Sequence, residues 1–429
     1  MGERKMQITL KPVREQVMVV TGASSGIGLA TARAAARRGA RVVLAARDEE
    51  ALRRIVAEIR GEGGEATFAV ADVGSAADVR GIVETALREF GGFDTWVNNA
   101  GVSIYGRLTD VPVEDAERLF QTNYWGMVNG ALAALPYLRQ SGGALINIGS
   151  IVSDRAIPLQ GHYSASKHAV KAFTDALRME LEHDGAPVAV TLVKPGSIHT
   201  PFTQHARNLM EREPDFPPPV YRPETVARAI LYCAEHPRRS VTVGGGGRMN
   251  AMMGILAPRL TDRMMERNMF RGQMKDEPAR PGRRDTLYQP PLENGRLHGD
   301  YEGYVMRTSA YTRAALNPPR TALALAAVGA LSVLLASNVR RRGRTDVDVH
   351  GVADDLPFAG RPMAGDRLDV PAAELEMRSD DYASRGAPGY VPQDGYVLPR
   401  ETAAGYGRDD EFALRGADYG FHGGADEAH

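Results

Sequence analysis

Between residues 17 and 245 the chain alternates short β-branched runs with longer segments that are apolar on one face only. VMVVTG, ARVVLAA, EATFAVADV, DTWVNNAG, GALINIGS, VAVTLVKPG and SVTVGG predict seven strands. Between them, residues 27–38 and 49–60 carry apolar side chains at helical spacing. Strands alternating with helices predict α/β architecture: one doubly wound parallel sheet covered on both faces. No internal repeat is visible.

After the glycines at 244–247 the pattern changes. Met253, Leu256, Leu260 and Met264 recur at i, i+3, i+7 and i+11, which predicts a helix with one apolar face. Two readings stand: the helix packs on the domain, or its methionines form an adaptable wall for an apolar ligand. Residues 271–320 are polar and rich in arginine and proline, an extended connector. Arg320 and Arg340 then bracket 19 uncharged residues, TALALAAVGALSVLLASNV. As a helix these cover ~28 Å, close to a bilayer core. A membrane helix, a helix buried against the body and a surface helix are the three readings. Beyond it the chain is acidic and aperiodic, so it is expected to be disordered. The expected organisation is an arm (1–15), an α/β domain (16–247), a Met-rich helix with connector (248–320), the hydrophobic helix (321–339) and the tail (340–429).

Of 429 residues, 43% are hydrophobic and 24% charged, which excludes collagen-like, disulfide-scaffold and wholly disordered classes. The single cysteine, Cys233, permits no intramolecular disulfide and fits a reducing compartment. The first 16 residues are charged and hold no apolar core of signal-peptide length, so export is not expected. A net charge of −1 hides an asymmetry: residues 345–429 carry 18 acidic and 7 basic side chains, the remainder 35 and 45. No basic cluster interleaved with aromatics argues for nucleic acid.

The first strand runs into Thr21-Gly22-Ala23-Ser24-Ser25-Gly26-Ile27-Gly28, and a helix follows. Such glycines allow a tight turn and let a pyrophosphate approach a helix N-terminus, where free N–H groups favour anions. The second strand ends in Ala46-Arg47, where an acidic residue would bind ribose hydroxyls and repel a 2′-phosphate. Alanine removes that repulsion and arginine offers a fork for phosphate, favouring NADP(H) over NAD(H), unless Arg47 is a plain surface arginine. Tyr163 and Lys167 stand at i and i+4 on one helix face, and Ser150 ends a strand. Asn98-Asn99-Ala100-Gly101 follows another strand, and Asn123 falls in a helix. His162 and His199 lack the ligand spacing of a metal site.

In these motifs, over about residues 15–247, the sequence resembles the short-chain dehydrogenase/reductase family in its single-domain form. The carriers are TGASSGIG, Asp72, NNAG, Asn123, Ser150, YSASK and Pro195-Gly196. The resemblance implies a Rossmann-type fold and hydride transfer between a nicotinamide and a carbonyl or alcohol. It implies Tyr163 as general acid and base, Lys167 lowering its pKa and holding the ribose, Ser150 on the substrate oxygen and Asn123 holding a relay water. It places Gly22, Ser24, Ser25, Gly26, Ile27, Gly28, Arg47, Asp72, Val73, Asn99, Ala100 and Gly101 along the coenzyme, with Asn98 shaping the adenosine side. Pro195, Gly196, Ile198 and Thr200 would pass the nicotinamide. Residues 201–222 fall where the family varies its substrate lid, and Phe202, Leu209, Met210 and Phe216 either line that pocket or pack. The expected partner is a lipophilic carbonyl or alcohol, in a homo-oligomer with a cytoplasmic catalytic domain and membrane association through 321–339. The alternative is a non-catalytic nucleotide-binding scaffold acting through its extension.

Overall fold

The computed structural model describes residues 8–290 and 295–317. Seven parallel strands form its sheet: β1 (Val17–Thr21), β2 (Arg41–Ala46), β3 (Glu65–Val70), β4 (Thr95–Asn98), β5 (Gly143–Ile148), β6 (Val188–Pro195) and β7 (Ser240–Val243), in the order β7-β6-β5-β4-β1-β2-β3. All seven sequence-predicted strands form. Every residue of β1, β5 and β6 is buried, which is why these runs are mostly apolar rather than alternating.

Helices cover both faces. On one lie α1 (Gly26–Arg37) and α2 (Glu49–Gly61), whose Leu29, Leu52 and Ile55 share a core with Val20, Val42 and Ile146. On the other lies α3 (Ala76–Phe90), with Val79 and Ile82 against Val19, Trp96 and Leu145. α4 (Val113–Phe120) continues through a five-residue π-helical segment, Gln121–Trp125, into α5 (Gly126–Ser141). α6 (Gly161–His183), the short α7 (Phe202–His205) and α8 (Pro223–Glu235) complete the doubly wound unit. Strand order reverses between β1 and β4, and the crevice beyond their carboxyl ends is where such sheets bind ligands.

The chain beyond residue 244 departs from expectation. The single Met-rich helix is two, α9 (Gly245–Leu256) and α10 (Pro258–Gly272), because a proline ring fits the first turn of a new helix and not the interior of an old one. Of the face expected to pack, Leu256 and Leu260 are 79% and 60% exposed and Met253 and Met264 half-buried, while Ala251, Thr261 and Met265 turn inward. Nor is the following stretch a plain connector. Met274–Pro278 pairs antiparallel with Arg212–Pro214, and Val305–Met306 pairs with Val220–Tyr221, which in turn pairs with Ser197–Ile198. α11 (Ala310–Leu316) buries Leu316 in the core beside α8. Among the described residues no helix is long and apolar enough to cross a membrane. The segment 321–339 and the acidic tail lie outside the described residues.

Candidate active site

Two glycines shape the turn after β1. Gly22 and Gly26 hold φ of +64° and +51°, the region that favours glycine. A Cβ on Gly28 would lie 2.2 Å from the Gly22 carbonyl oxygen, so Gly28 serves the close approach of helix and strand. The Asn99 side-chain amide donates to the Thr21 carbonyl at 2.9 Å, and the Asn99 and Ala100 N–H groups donate to the Thr21 hydroxyl. The NNAG segment is thereby latched to the turn. Its first member, Asn98, is buried elsewhere: it donates to Asn147 and to the Met127 carbonyl, and accepts from the Trp96 indole. It braces β4 against β5 and does not line the cleft.

Just beyond β2, Arg47 turns inward rather than out to solvent. Its Nη2 donates to the Thr286 carbonyl at 2.6 Å, whereas Nη1 is buried and has no hydrogen-bond partner among the described residues. Burial lowers its pKa, opposed by the charge of Asp72 and reinforced by Arg118. Burial would raise the Asp72 carboxyl, yet the Arg118 hydrogen bond, the Gly74 N–H and the Arg47 charge together hold it below the usual carboxylate range. A buried guanidinium group with unused donors and no carboxylate bound to it suits an anionic ligand.

Ser150, Tyr163 and Lys167 meet at the other end. Ser150 caps the 3₁₀ turn Ile151–Ser153, accepting from the Val152 N–H while its own N–H donates to the Ser153 hydroxyl. Tyr163 and Lys167 are 8% and 4% exposed on α6. Burial pushes the Tyr163 phenol up to about 12, a hydrogen bond with Ser150 acting the other way. Burial pulls Lys167 down to about 8. The expected lowering of Tyr163 by Lys167 is not what this geometry delivers. The ammonium donates to the Ile148 carbonyl at 3.0 Å and stands 5.8 Å from the Tyr163 ring centroid, so desolvation dominates both groups. Asn123 sits in the π-helical segment, a local widening common at functional sites. Its amide donates to the Val102 carbonyl and Ser166 hydroxyl, and its Oδ1 accepts from the Val102 N–H.

One cleft joins these ends. It is lined by Gly22, Ser24–Ile27, Arg47, Asp72, Val73, Asn99–Gly101, Ser150, Tyr163, Lys167, Pro195, Gly196, Ile198 and Thr200. Gly28 and Asn123 stand behind its walls. Phe202 and Phe216 line it, whereas Leu209 and Met210 pack, so the four lid residues divide evenly. Ser103, His205, Thr286 and Pro290 also line it and carry no sequence signal that could have found them. Arg118, which bridges Asp72 and the Leu287 carbonyl, was equally silent, one arginine on an amphipathic helix. Among the described residues no cluster of three or more His, Cys, Asp or Glu could hold a metal.

The family model for short chain dehydrogenase matches residues 16–211. The chain is 46% identical to the uncharacterized oxidoreductase YxnA of Bacillus subtilis (strain 168) over 319 residues, covering 73% of this chain and 89% of that protein. A match of that length necessarily runs past residue 247 into the extension. The 11-beta-hydroxysteroid dehydrogenase A of Sesamum indicum is 35% identical over 261 residues, 58% of this chain and 74% of its own. Dehydrogenase/reductase SDR family member 7B of Bos taurus is 39% identical over 205 residues, 45% and 61% of the two chains.

Proposed function

The chain belongs to the short-chain dehydrogenase/reductase family and is an oxidoreductase of that class, and from this premise we propose an NADP(H)-dependent enzyme that interconverts a lipophilic carbonyl and its alcohol, with Tyr163 as proton donor and acceptor. The observation that carries the reading is the single cleft that places Ser150, Tyr163 and Lys167 at one end and the glycine turn with the unpartnered Arg47 Nη1 at the other.

The residues fit a nicotinamide dinucleotide. The turn at Ser24–Ile27 would hold its pyrophosphate, Asp72 and Val73 its adenosine, Arg47 a 2′-phosphate, and Ile198 and Thr200 would flank its nicotinamide. Bound, the coenzyme supplies or accepts the hydride. Ser150 would hold the substrate oxygen by its hydroxyl. With a pKa near 12 the Tyr163 phenol stays protonated at neutral pH, which suits donation to that oxygen during reduction. The Lys167 ammonium, held by the Ile148 carbonyl, would bind the ribose. Asn123 fixes Val102 and α6 around this group. Phe202 and Phe216 give the substrate end apolar walls, and the steroid named for the Sesamum relative is of matching chemistry. We further propose a cytoplasmic catalytic body, where NADPH is supplied, associated with membranes through residues 321–339.

The test is NADPH oxidation by the full chain against steroids, quinones, aldehydes and fatty-acyl ketones, with Tyr163→Phe beside it. The variant should fold, bind coenzyme and turn over roughly 10²–10⁴ times more slowly on whichever substrate responds. Near-normal turnover would refute Tyr163 as the proton donor.

A further inference from the structure

Two stretches of the extension, 285–290 and 295–299, lie along the coenzyme cleft, and we propose that they form a strap that roofs the bound coenzyme, retains it and positions Arg47. The proposal rests on the cleft being the nicotinamide coenzyme site and not on the preference for NADP(H).

At the adenosine end the strap is held by its carbonyls. Arg47 Nη2 donates to Thr286 at 2.6 Å and reaches Gln289 at 3.5 Å, and Arg118 Nε donates to Leu287 at 3.0 Å. Those bonds fix one edge of the Arg47 guanidinium, whose Nη1 is buried and has no hydrogen-bond partner among the described residues. The Thr286 N–H and hydroxyl both donate to the His205 carbonyl, at 2.8 and 3.1 Å. Leu287 is fully buried in the apolar cluster that contains Tyr163, Val102 and Leu119, a plug that seats the strap. At the glycine turn the Gly295 N–H donates to the Ser24 carbonyl at 2.9 Å, and the Gly26 N–H donates to the Arg296 carbonyl at 3.0 Å. Gly299 lies so close to the nicotinamide-side loop that a Cβ there would come within 2.5 Å of the Thr200 carbonyl oxygen.

The cleft persists beneath these contacts, with Thr286 and Pro290 among its walls. A ligand lying from Asp72 to Thr200 therefore fits under the strap, and its passage in or out requires the strap to lift. Most of the attachments are single hydrogen bonds to main-chain carbonyls, which water can replace, so lifting is reversible. The strap governs how fast coenzyme leaves.

Stopped-flow displacement of NADPH, and separately of NADH, from the full chain reads this directly. Leu287→Ala removes the plug. Gly295→Pro removes an anchoring N–H at a residue whose φ of +95° proline cannot adopt. Each should release coenzyme at least tenfold faster than the unaltered chain, with thermal melting checked first. Release within twofold of the unaltered chain for both folded variants overturns the proposal. Hydrogen exchange on the unaltered chain provides an arm independent of mutation. Saturating coenzyme should raise protection at the Thr286 and Gly295 amides, and unchanged or reduced protection there overturns the roof. A chain that binds NADH alone refutes the NADP(H) reading and leaves the strap test standing with NADH as probe.

Discussion

At the scale of single residues, the proposed preference for NADP(H) rests on Arg47. It follows β2, where a carboxylate would repel a 2′-phosphate, and it lines the cleft. Arg47→Ala should weaken NADPH more than NADH by about 1.5–3 kcal/mol, roughly 10- to 150-fold, since only NADPH carries the phosphate, whereas loss of the Thr286 contact weakens both alike. Titration of both coenzymes against both proteins checks this, and a preference for NADH in the unaltered chain overturns it. Residues of this kind were legible because their chemistry demands one side chain at one spacing: glycines where φ is positive, a tyrosine and lysine one helical turn apart. Asn98 was misread because a motif places a residue without saying where its side chain goes. The Tyr163–Lys167 coupling was misread because burial depends on the whole fold. Arg118 offered no spacing at all.

Among elements, the seven strands could be read because buried parallel strands are mostly apolar and β-branched. The strap could not, since it has neither period nor apolar run, and its role comes from carbonyls that every residue owns. It nevertheless leaves an electrostatic signature on its neighbour. His205, whose carbonyl anchors Thr286, is pulled down to about 4 by burial and by the charges of Arg283 and Arg296. Between pH 6.5 and about 4 the unfolded chain therefore binds a proton at this position that the folded chain does not. Stability rises with pH across that window and is lost as pH falls, by about 3 kcal/mol at full effect. Urea unfolding at pH 7 and pH 4.5 should show that loss, and His205→Gln should remove the part due to this residue. An identical pH slope in the variant would mean that other groups set it.

For the whole molecule, residues 248–317 pack onto the α/β domain that precedes them. Residues 248–317 supply Leu287 to the cluster around Tyr163 and Leu316 to the main core, and Gln273 joins Gln160 at 2.6 Å and the Pro158 carbonyl. Removing them would open cavities under Tyr163 and α8 and unpair the 220–221 strand edge, costs of a few kcal/mol each against a total stability of about 5–15. A chain ending at residue 247 should therefore fail to fold or to bind coenzyme. The segment 321–339 lies outside the described residues, and its 19 uncharged residues between Arg320 and Arg340 carry the membrane proposal. The four arginines after it favour a cytoplasmic end, and NADPH chemistry asks the same of the body before it, so a straight span conflicts with one of the two. A shallow or re-entrant helix satisfies both. A chain ending at Arg320 should keep the melting temperature and coenzyme affinity of the full chain and lose flotation with liposomes, as should the full chain carrying Leu331→Arg and Leu335→Arg. Full-length protein that stays with the unfloated fraction, alone or beside these variants, would overturn the membrane reading while leaving the catalytic one intact.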